Sequence, residues 1–188
     1  MGNFYANYTL AGPGQQEVVE ALAGRSAIVT PSQGGCVVVF DEQSDTQDKQ
    51  VIANLAVHLS QCLACPVLAV VNHDDDILWY QLYASGELTD EYDSSPGYFD
   101  PMAESSIPVG GDAFKLCSAF GAGDISKVES VLRKPSFGDD GYTFAFERHA
   151  DLVRALGITA YSVGAGYDYV ADGELPDGLE ADDLTIVI

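Results

Sequence analysis

The sequence predicts an α+β fold, with a mainly antiparallel sheet of about six strands followed by a mostly helical C-terminal half. Three observations support this prediction. Strand-like and helix-like segments follow one another in the order β-α-β-β-α-β over residues 3–71. Two more β-prone segments come directly after them. From residue 112 onward, the apolar residues recur mainly at helical spacing.

The first six elements are predicted from residue type and spacing. Residues 3–10 contain Phe4, Tyr5 and Tyr8, which favour strands, and residues 51–63 place apolar side chains three and four positions apart, as an amphipathic helix does. The predicted strands are residues 3–10, 26–30, 36–40 and 67–71, and the predicted helices are residues 15–23 and 51–63. This order is the ferredoxin-like supersecondary pattern, which consists of two split βαβ units.

The fourth predicted strand, residues 67–71, decides how the sheet is extended. It contains no polar residue, and a wholly apolar strand at a sheet edge promotes aggregation. We therefore expect the next two segments, residues 77–83 and 87–93, to pair outside it as a β-meander, with a tight hairpin at Gly86. A strand without polar alternation is also buried on both faces. We expect the two helices on one face and the C-terminal half on the other.

The C-terminal half follows a loop that is rich in Pro and Gly. The predicted elements are helices at residues 112–120, 125–134 and 144–156, a strand at residues 158–163 and a β-prone tail at residues 184–188. The expected organisation is a sheet domain of residues 1–95 and a helical half of residues 96–188. Because 47% of the 188 residues are hydrophobic, we expect both parts to share one core as a single globular unit.

The charge balance is strongly acidic, with 29 Asp and Glu against 8 Lys and Arg and a formal net charge of -21. Nucleic acids and anionic lipid surfaces both require clustered basic side chains, so neither is an expected partner. A basic protein would be attracted, and its association would be accelerated. Acidity also serves solubility alone, including in a salty cytoplasm. The sequence shows no secretory signal and no membrane-spanning run, so the expected location is the cytoplasm.

Four cysteines raise the question of a metal or redox site. Cys62 and Cys65 have the spacing of such a pair. They lie at the C-terminal end of a predicted helix, however, whereas reactive thiols usually lie at the N-terminal end. Cys36 and Cys117 are isolated in the sequence. We therefore expect buried apolar cysteines, and no cofactor is predicted.

Comparison with three functional sequence motifs identifies no site in this chain. Residues 160–164 resemble a degenerate nucleophile elbow around Ser162, but a Gly-rich stretch replaces the helix that should follow, and all three histidines precede Ser162 in the chain. Residues 168–180 lack two ligands of a calcium loop. The chain contains no Gly-Lys-Ser or Gly-Lys-Thr, which excludes a P-loop. The sequence thus gives no catalytic residue.

The segment His73–Asp76 is the first candidate site. Carboxylates and an imidazole suit a divalent cation, so His73, Asp74 and Asp76 are the candidate ligands of a metal-dependent enzyme or a cation-binding protein. Alternate residues of a strand point to opposite faces, however, and Asn and Asp are common in turns. The simpler interpretation is the polar turn of a β-hairpin.

Aromatic residues near this segment form the second candidate site, and its members are Trp79, Tyr83, Tyr92 and Tyr98. Aromatic side chains beside carboxylates are typical of protein-binding surfaces, especially for Arg, although core packing uses the same residues. The first hypothesis is therefore a non-enzymatic interaction protein whose acidic, aromatic-rich surface binds a basic protein partner. The alternative is the metal-dependent function of the His73–Asp76 segment.

Overall fold

The computed structural model of this chain describes residues 2–99 and 107–188. The strands are β1 (Tyr5–Ala11), β2 (Ala27–Val29), β3 (Cys36–Asp41), β4 (Val67–His73), β5 (Ile77–Ala84), β6 (Glu87–Asp93), β7 (Val109–Gly110) and β8 (Thr185–Val187). The helices of the described part are α1 (Gln15–Ala21), α2 (Lys49–Cys62), α3 (Ala113–Phe120), α4 (Ile125–Arg133), α5 (Ala145–Leu156) and α6 (Tyr167–Ala171). The fold is therefore α+β.

All the strands belong to one sheet in the order β7-β6-β5-β4-β1-β3-β2-β8, and every neighbouring pair is antiparallel. Residues 2–99 and 107–188 contain eight strands rather than the predicted number of about six. The two additional strands lie at opposite edges of the sheet. The tail supplies β8, which pairs with β2, whereas β7 is only two residues long and pairs with the end of β6. A two-residue strand has no periodicity that a sequence pattern can reveal.

Strand β4 lies between β1 and β5 and is buried along residues 67–71, as its apolar sequence predicts. Its alternate side chains enter two different cores. Val67 and Ala69 belong to a cluster that includes apolar residues of α1 and α2. Leu68 and Val70 belong to a second cluster that includes residues of α3, α4 and α5. The sheet thus separates two helical layers.

Three helices begin at an aspartate that accepts hydrogen bonds from the first turn. Asp48 accepts from the amides of Gln50 and Val51 before α2, and Asp112 accepts from the amide of Lys115 in α3. Asp124 plays the same part for α4. Each cap satisfies amides that have no partner within the helix. These caps account for part of the large acidic content of the chain.

The strand predicted at residues 158–163 is wrong, because residues 161–164 form a turn. The side-chain amide of Asn7 in β1 donates to the carbonyl oxygens of Ser162 and Ala165, at 2.7 and 2.8 Å. These bonds use backbone acceptors that a sheet ladder would need. Tyr161 and Ala165 instead pack on the β2–β3 side of the sheet in a third apolar cluster.

Within the described residues, no helix is both long and apolar enough to cross a lipid bilayer.

Candidate binding surface at the turn between β4 and β5

The His73–Asp76 segment closes the hairpin that joins β4 to β5. The Asp76 amide donates to the His73 carbonyl oxygen at 3.0 Å. Asp74 and Asp75 both have positive φ, 54° and 58°. Two consecutive positive φ angles are typical of a type I′ turn, which matches the twist of the flanking strands. Asp tolerates this conformation better than most residues do. The polar run therefore forms a hairpin turn, as the simpler interpretation predicts.

Asp75 points into the protein and anchors the turn. One of its carboxylate oxygens accepts from the side-chain amide of Asn72 at 2.9 Å. The other accepts from the backbone amide and the side-chain amide of Asn3, at 3.1 and 3.0 Å. The Asp75 carbonyl oxygen also accepts from the amide of Ala145 at the start of α5. These bonds attach the turn to the segment before β1 and to the start of α5, so Asp75 has a structural role.

The three residues proposed as metal ligands have separate hydrogen-bond partners. Nδ1 of His73 lies 2.6 Å from Oε1 of Gln47 and donates to it, because the Gln47 amide nitrogen is itself committed to the Asn72 carbonyl. Asp74 accepts from the Gly2 amide, whereas Asp76 accepts from the Tyr98 hydroxyl at 2.8 Å. In residues 2–99 and 107–188 there is no group of three His, Cys, Asp or Glu side chains positioned to hold a metal ion.

Exposed aromatic rings surround His73 on the outside of the turn. Its ring centroid lies 4.9 Å from that of Phe4, 5.2 Å from that of Phe99 and 6.2 Å from that of Tyr98. Phe99 is 73% exposed, Phe4 42% and Tyr98 38%. Asp74 and Asp76 are half-buried beside them. We call this set the tip surface, and its members are Phe4, His73, Asp74, Asp76, Tyr98 and Phe99.

A cavity of about 260 Å³ opens next to the tip surface, and His73, Trp79 and Phe99 contribute to its wall. The Lys49 ammonium lies 4.8 Å from the centre of the Trp79 ring, and the indole N–H donates to Glu91 at 3.3 Å. A second cavity of about 300 Å³ shares Lys49, Trp79 and Asp93 with the first. The two cavities are therefore neighbours on one side of the tip surface, and we call them together the groove.

The four aromatic residues predicted for binding differ in exposure. Trp79, Tyr83 and Tyr92 are 3%, 4% and 0% exposed, so their rings belong to the core of this chain. Strand β5 is covered on both faces, which is why its aromatic residues are buried. Trp79 and Tyr92 still line the groove, but Tyr83 lies outside it. Tyr98 alone of the four is exposed, at 38%.

Sequence reasoning missed Phe4, Gln47 and Lys49 as parts of this site. Phe4 precedes β1, and the antiparallel pairing of β1 with β4 carries it to the β4–β5 turn. Lys49 had a visible signal, because it is the only basic residue between Arg25 and Lys115. A lone cation in so acidic a stretch indicates a specific contact, here with the Trp79 ring.

A buried polar chain crosses the core away from the tip surface. The Tyr5 hydroxyl lies 2.8 Å from Nδ1 of His149, and the Ser162 hydroxyl lies 3.2 Å from Nε2 of the same ring. Burial lowers the pKa of His149 to about 3, so the ring is neutral at pH 7. Both Ser162 and His149 are fully buried, so this pair offers no nucleophile to a substrate in solution.

The chain matches no known protein family, no characterised protein and no solved structure in the three comparisons that we made.

Proposed function

We propose that this chain is a non-enzymatic cytoplasmic binding protein that holds a basic segment of a partner protein on the tip surface and in the adjoining groove. The observation that supports the proposal most directly is the contact between exposed aromatic rings and carboxylates at one turn. Phe99 and Tyr98 pack against each other at 5.0 Å, and Tyr98 is hydrogen-bonded to Asp76. An Arg or Lys side chain prefers such surroundings, because it gains an ion pair and an aromatic face together.

The overall charge supports the same kind of partner. A net charge of -21 attracts cationic proteins over several ångströms and raises their association rate at low salt. The tip surface itself contains no Lys or Arg among its six residues. Screening shortens these interactions to about 8 Å at physiological ionic strength, so salt should weaken the complex.

Trp79 provides a direct probe of the site. It is the only tryptophan in the chain, and it lies in the wall of the groove. We expect an oligo-arginine peptide to change its fluorescence in a saturable way, and an oligo-glutamate peptide of the same length to leave it unchanged. Phe99→Ala removes the most exposed ring of the tip surface and should weaken oligo-arginine binding about tenfold. The double variant Asp74→Asn/Asp76→Asn should weaken it about threefold to tenfold.

Matched controls separate the site from the general acidity of the protein. Phe114→Ala removes a ring that is 66% exposed elsewhere on the surface, and Asp139→Asn/Asp140→Asn removes the same amount of charge from an exposed loop. Both controls should bind the peptide within about twofold of the unmodified protein. If the controls lose as much affinity as the tip-surface variants, the peptide binds by net charge alone and the proposal is wrong.

We also propose that β1–β4 with α1 and α2 form a ferredoxin-like core, which β5 and β6 extend as a meander. The strand order β4-β1-β3-β2 supports this, as does the placement of both helices on one face. The same proposal includes a boundary near residue 95, between the sheet domain and the helical half, and one core that the two parts share. Limited proteolysis tests the shared core, which predicts that residues 1–95 and 96–188 lose protection together.

A further inference from the structure

The few basic residues of this chain are concentrated in one region. Only 8 of the 188 residues are Lys or Arg. Six of them lie between residues 115 and 154, namely Lys115, Lys127, Arg133, Lys134, Arg148 and Arg154. This segment contains α3, α4 and α5, the helices on the face of the sheet opposite α1 and α2. The acidic protein thus has one region where cations collect.

Three of these cations line one cavity of about 400 Å³ between α4 and α5. They are Lys127, Lys134 and Arg154, and Asp151 is the only acidic residue that the described part of the chain contributes to the wall. The remaining wall includes the apolar side chains of Val131 and Ala155 and the ring of Tyr142. An open cavity of this size can hold part of a small organic molecule.

The one carboxylate of the cavity is already used by its neighbours. One Asp151 oxygen accepts from Arg154 at 2.5 Å, and the other accepts from the Tyr142 hydroxyl at 2.9 Å. Lys134 forms no ion pair within the described residues, and its ammonium lies 4.3 Å from the centre of the Tyr142 ring. Lys127, by contrast, lies 3.7 Å from the Asp124 carboxylate, so Lys134 is the cation of the cavity wall that no carboxylate of the described residues neutralises.

Arg148 places a second unneutralised cation against the Tyr142 ring. It is 1% exposed, and its guanidinium carbon lies 4.5 Å from the ring centre. Its acceptors are all uncharged: the hydroxyls of Tyr92 and Ser136 and the carbonyl oxygens of Val131 and Lys134. Among the described residues, no carboxylate lies within ion-pair distance of it. Buried charges are ordinarily paired, because desolvation without a counter-ion is costly.

We propose that the α4–α5 cavity binds a small molecule that carries a phosphate group. The phosphate lies between Lys134 and Arg154, where it neutralises Lys134 and shares Arg154 with Asp151, and its charge also compensates the nearby Arg148 on the Tyr142 ring. The organic body of the ligand packs on Tyr142, Val131 and Ala155. A small anion is favoured over a nucleic acid, because the net charge of -21 repels a long polyanion. This site is separate from the tip surface, so the two proposals stand or fall independently.

Phenyl phosphate is a suitable probe, because it combines the charged group with an apolar body of the right size. Calorimetric titration of the full-length chain should show saturable binding of phenyl phosphate, and no binding of phenol at the same concentration. Lys134→Gln and Arg154→Gln should each weaken binding about tenfold. The Arg154 side chain is 75% exposed, so its replacement should leave the fold unchanged, and circular dichroism can verify this.

Lys115→Gln is the matched control, because it removes one positive charge outside the cavity. It should bind phenyl phosphate within about twofold of the unmodified protein. An absence of saturable binding in the unmodified protein would overturn the proposal. Equal weakening in Lys115→Gln and Lys134→Gln would also overturn it, since the anion would then sense only the general charge of the helical layer.

Discussion

The buried ring of His149 predicts that the protein loses stability as the pH falls below about 6.5. Its pKa is lowered from 6.5 to about 3 by burial, so the folded state keeps the ring neutral, whereas the unfolded chain binds a proton below pH 6.5. The stabilisation from a neutral His149 is fully present above pH 6.5. It decreases as the pH falls from 6.5 towards 3, because protons then favour the unfolded state.

The size of the effect follows from the difference between the two pKa values. A pH of about 5 lies about 1.5 pH units below the pKa of His149 in the unfolded chain, so protonation of the unfolded chain lowers the free energy of unfolding by about 2 kcal/mol. At about pH 4 the loss is about 3 kcal/mol by the same arithmetic. Either value is a large fraction of the 5–15 kcal/mol by which typical domains are stable.

Other groups titrate in the same range, so the assay has to isolate His149. Burial raises the pKa of Asp45 to about 6, for example, and its protonation on acidification opposes the effect of His149. His149→Gln keeps hydrogen-bonding groups beside Tyr5 and Ser162 but cannot take up a proton at these pH values. The difference in unfolding free energy between the original protein and this variant therefore removes the contribution of Asp45 and the other carboxylates.

Urea denaturation followed by Trp79 fluorescence measures this difference at several pH values. We expect the stability advantage of the original protein over His149→Gln to shrink by about 2 kcal/mol between about pH 7.5 and about pH 5. Two curves that stay parallel within about 0.5 kcal/mol over this range would refute the reasoning, because His149 would then have nearly the same pKa in both states.

Three further predictions concern stability and metal binding. Gly166→Ala should lower the free energy of unfolding in urea by about 1–3 kcal/mol, because the added methyl would lie 2.9 Å from both an Asp45 oxygen and the Tyr5 Cβ. The control Gly14→Ala should lower it by less than about 1 kcal/mol, since the nearest contact of its added methyl is 3.6 Å. Arg25→Gln should lower the free energy of unfolding by about 3–5 kcal/mol, because the two 2.8 Å bonds to the buried Asp41 carboxylate are lost. The control Glu129→Gln breaks the exposed ion pair with Arg133 and should change thermal unfolding little. Calorimetric titration with calcium, magnesium, manganese or zinc should give no saturable heat, because the side chains of the β4–β5 turn are directed to separate partners. A saturable signal that disappears in the Asp74→Asn/Asp76→Asn variant would contradict this prediction.

Much of the sheet could be predicted from its apolar residues alone. Residues 67–71 contain no polar position, which indicates an interior strand, and the order of the later strands follows from that placement. Local signals also sufficed for the helix that begins near residue 125 and for the turn at Asp74 and Asp75. These features depend on residues close together in the chain, where propensity and periodicity act directly.

The candidate site was only partly visible, because its parts come from distant segments. Nothing in the sequence shows that Phe4 would lie against His73, since this contact depends on the pairing of β1 with β4. The contact between Ser162 and His149 was likewise missed, because the template applied to Ser162 requires a later histidine in the chain. Exposure was the least predictable property, as Trp79 and Tyr98 illustrate: both are aromatic and near carboxylates, but only Tyr98 faces solvent.

The two rims of the sheet have a consequence for behaviour at high concentration. Strand β8 offers only three residues at one rim, and at the other rim β7 pairs with Tyr92 and Asp93 alone. The rest of β6 at that rim carries Glu87, Asp90 and Glu91, and charged side chains discourage a second molecule from pairing there. The segment Glu180–Asp183 precedes β8 and places like charges beside the rim that carries the exposed Ile186. Fibrils that grow by adding strands to a rim therefore start poorly from the native state, and concentrated stocks should stay clear until the sheet itself opens.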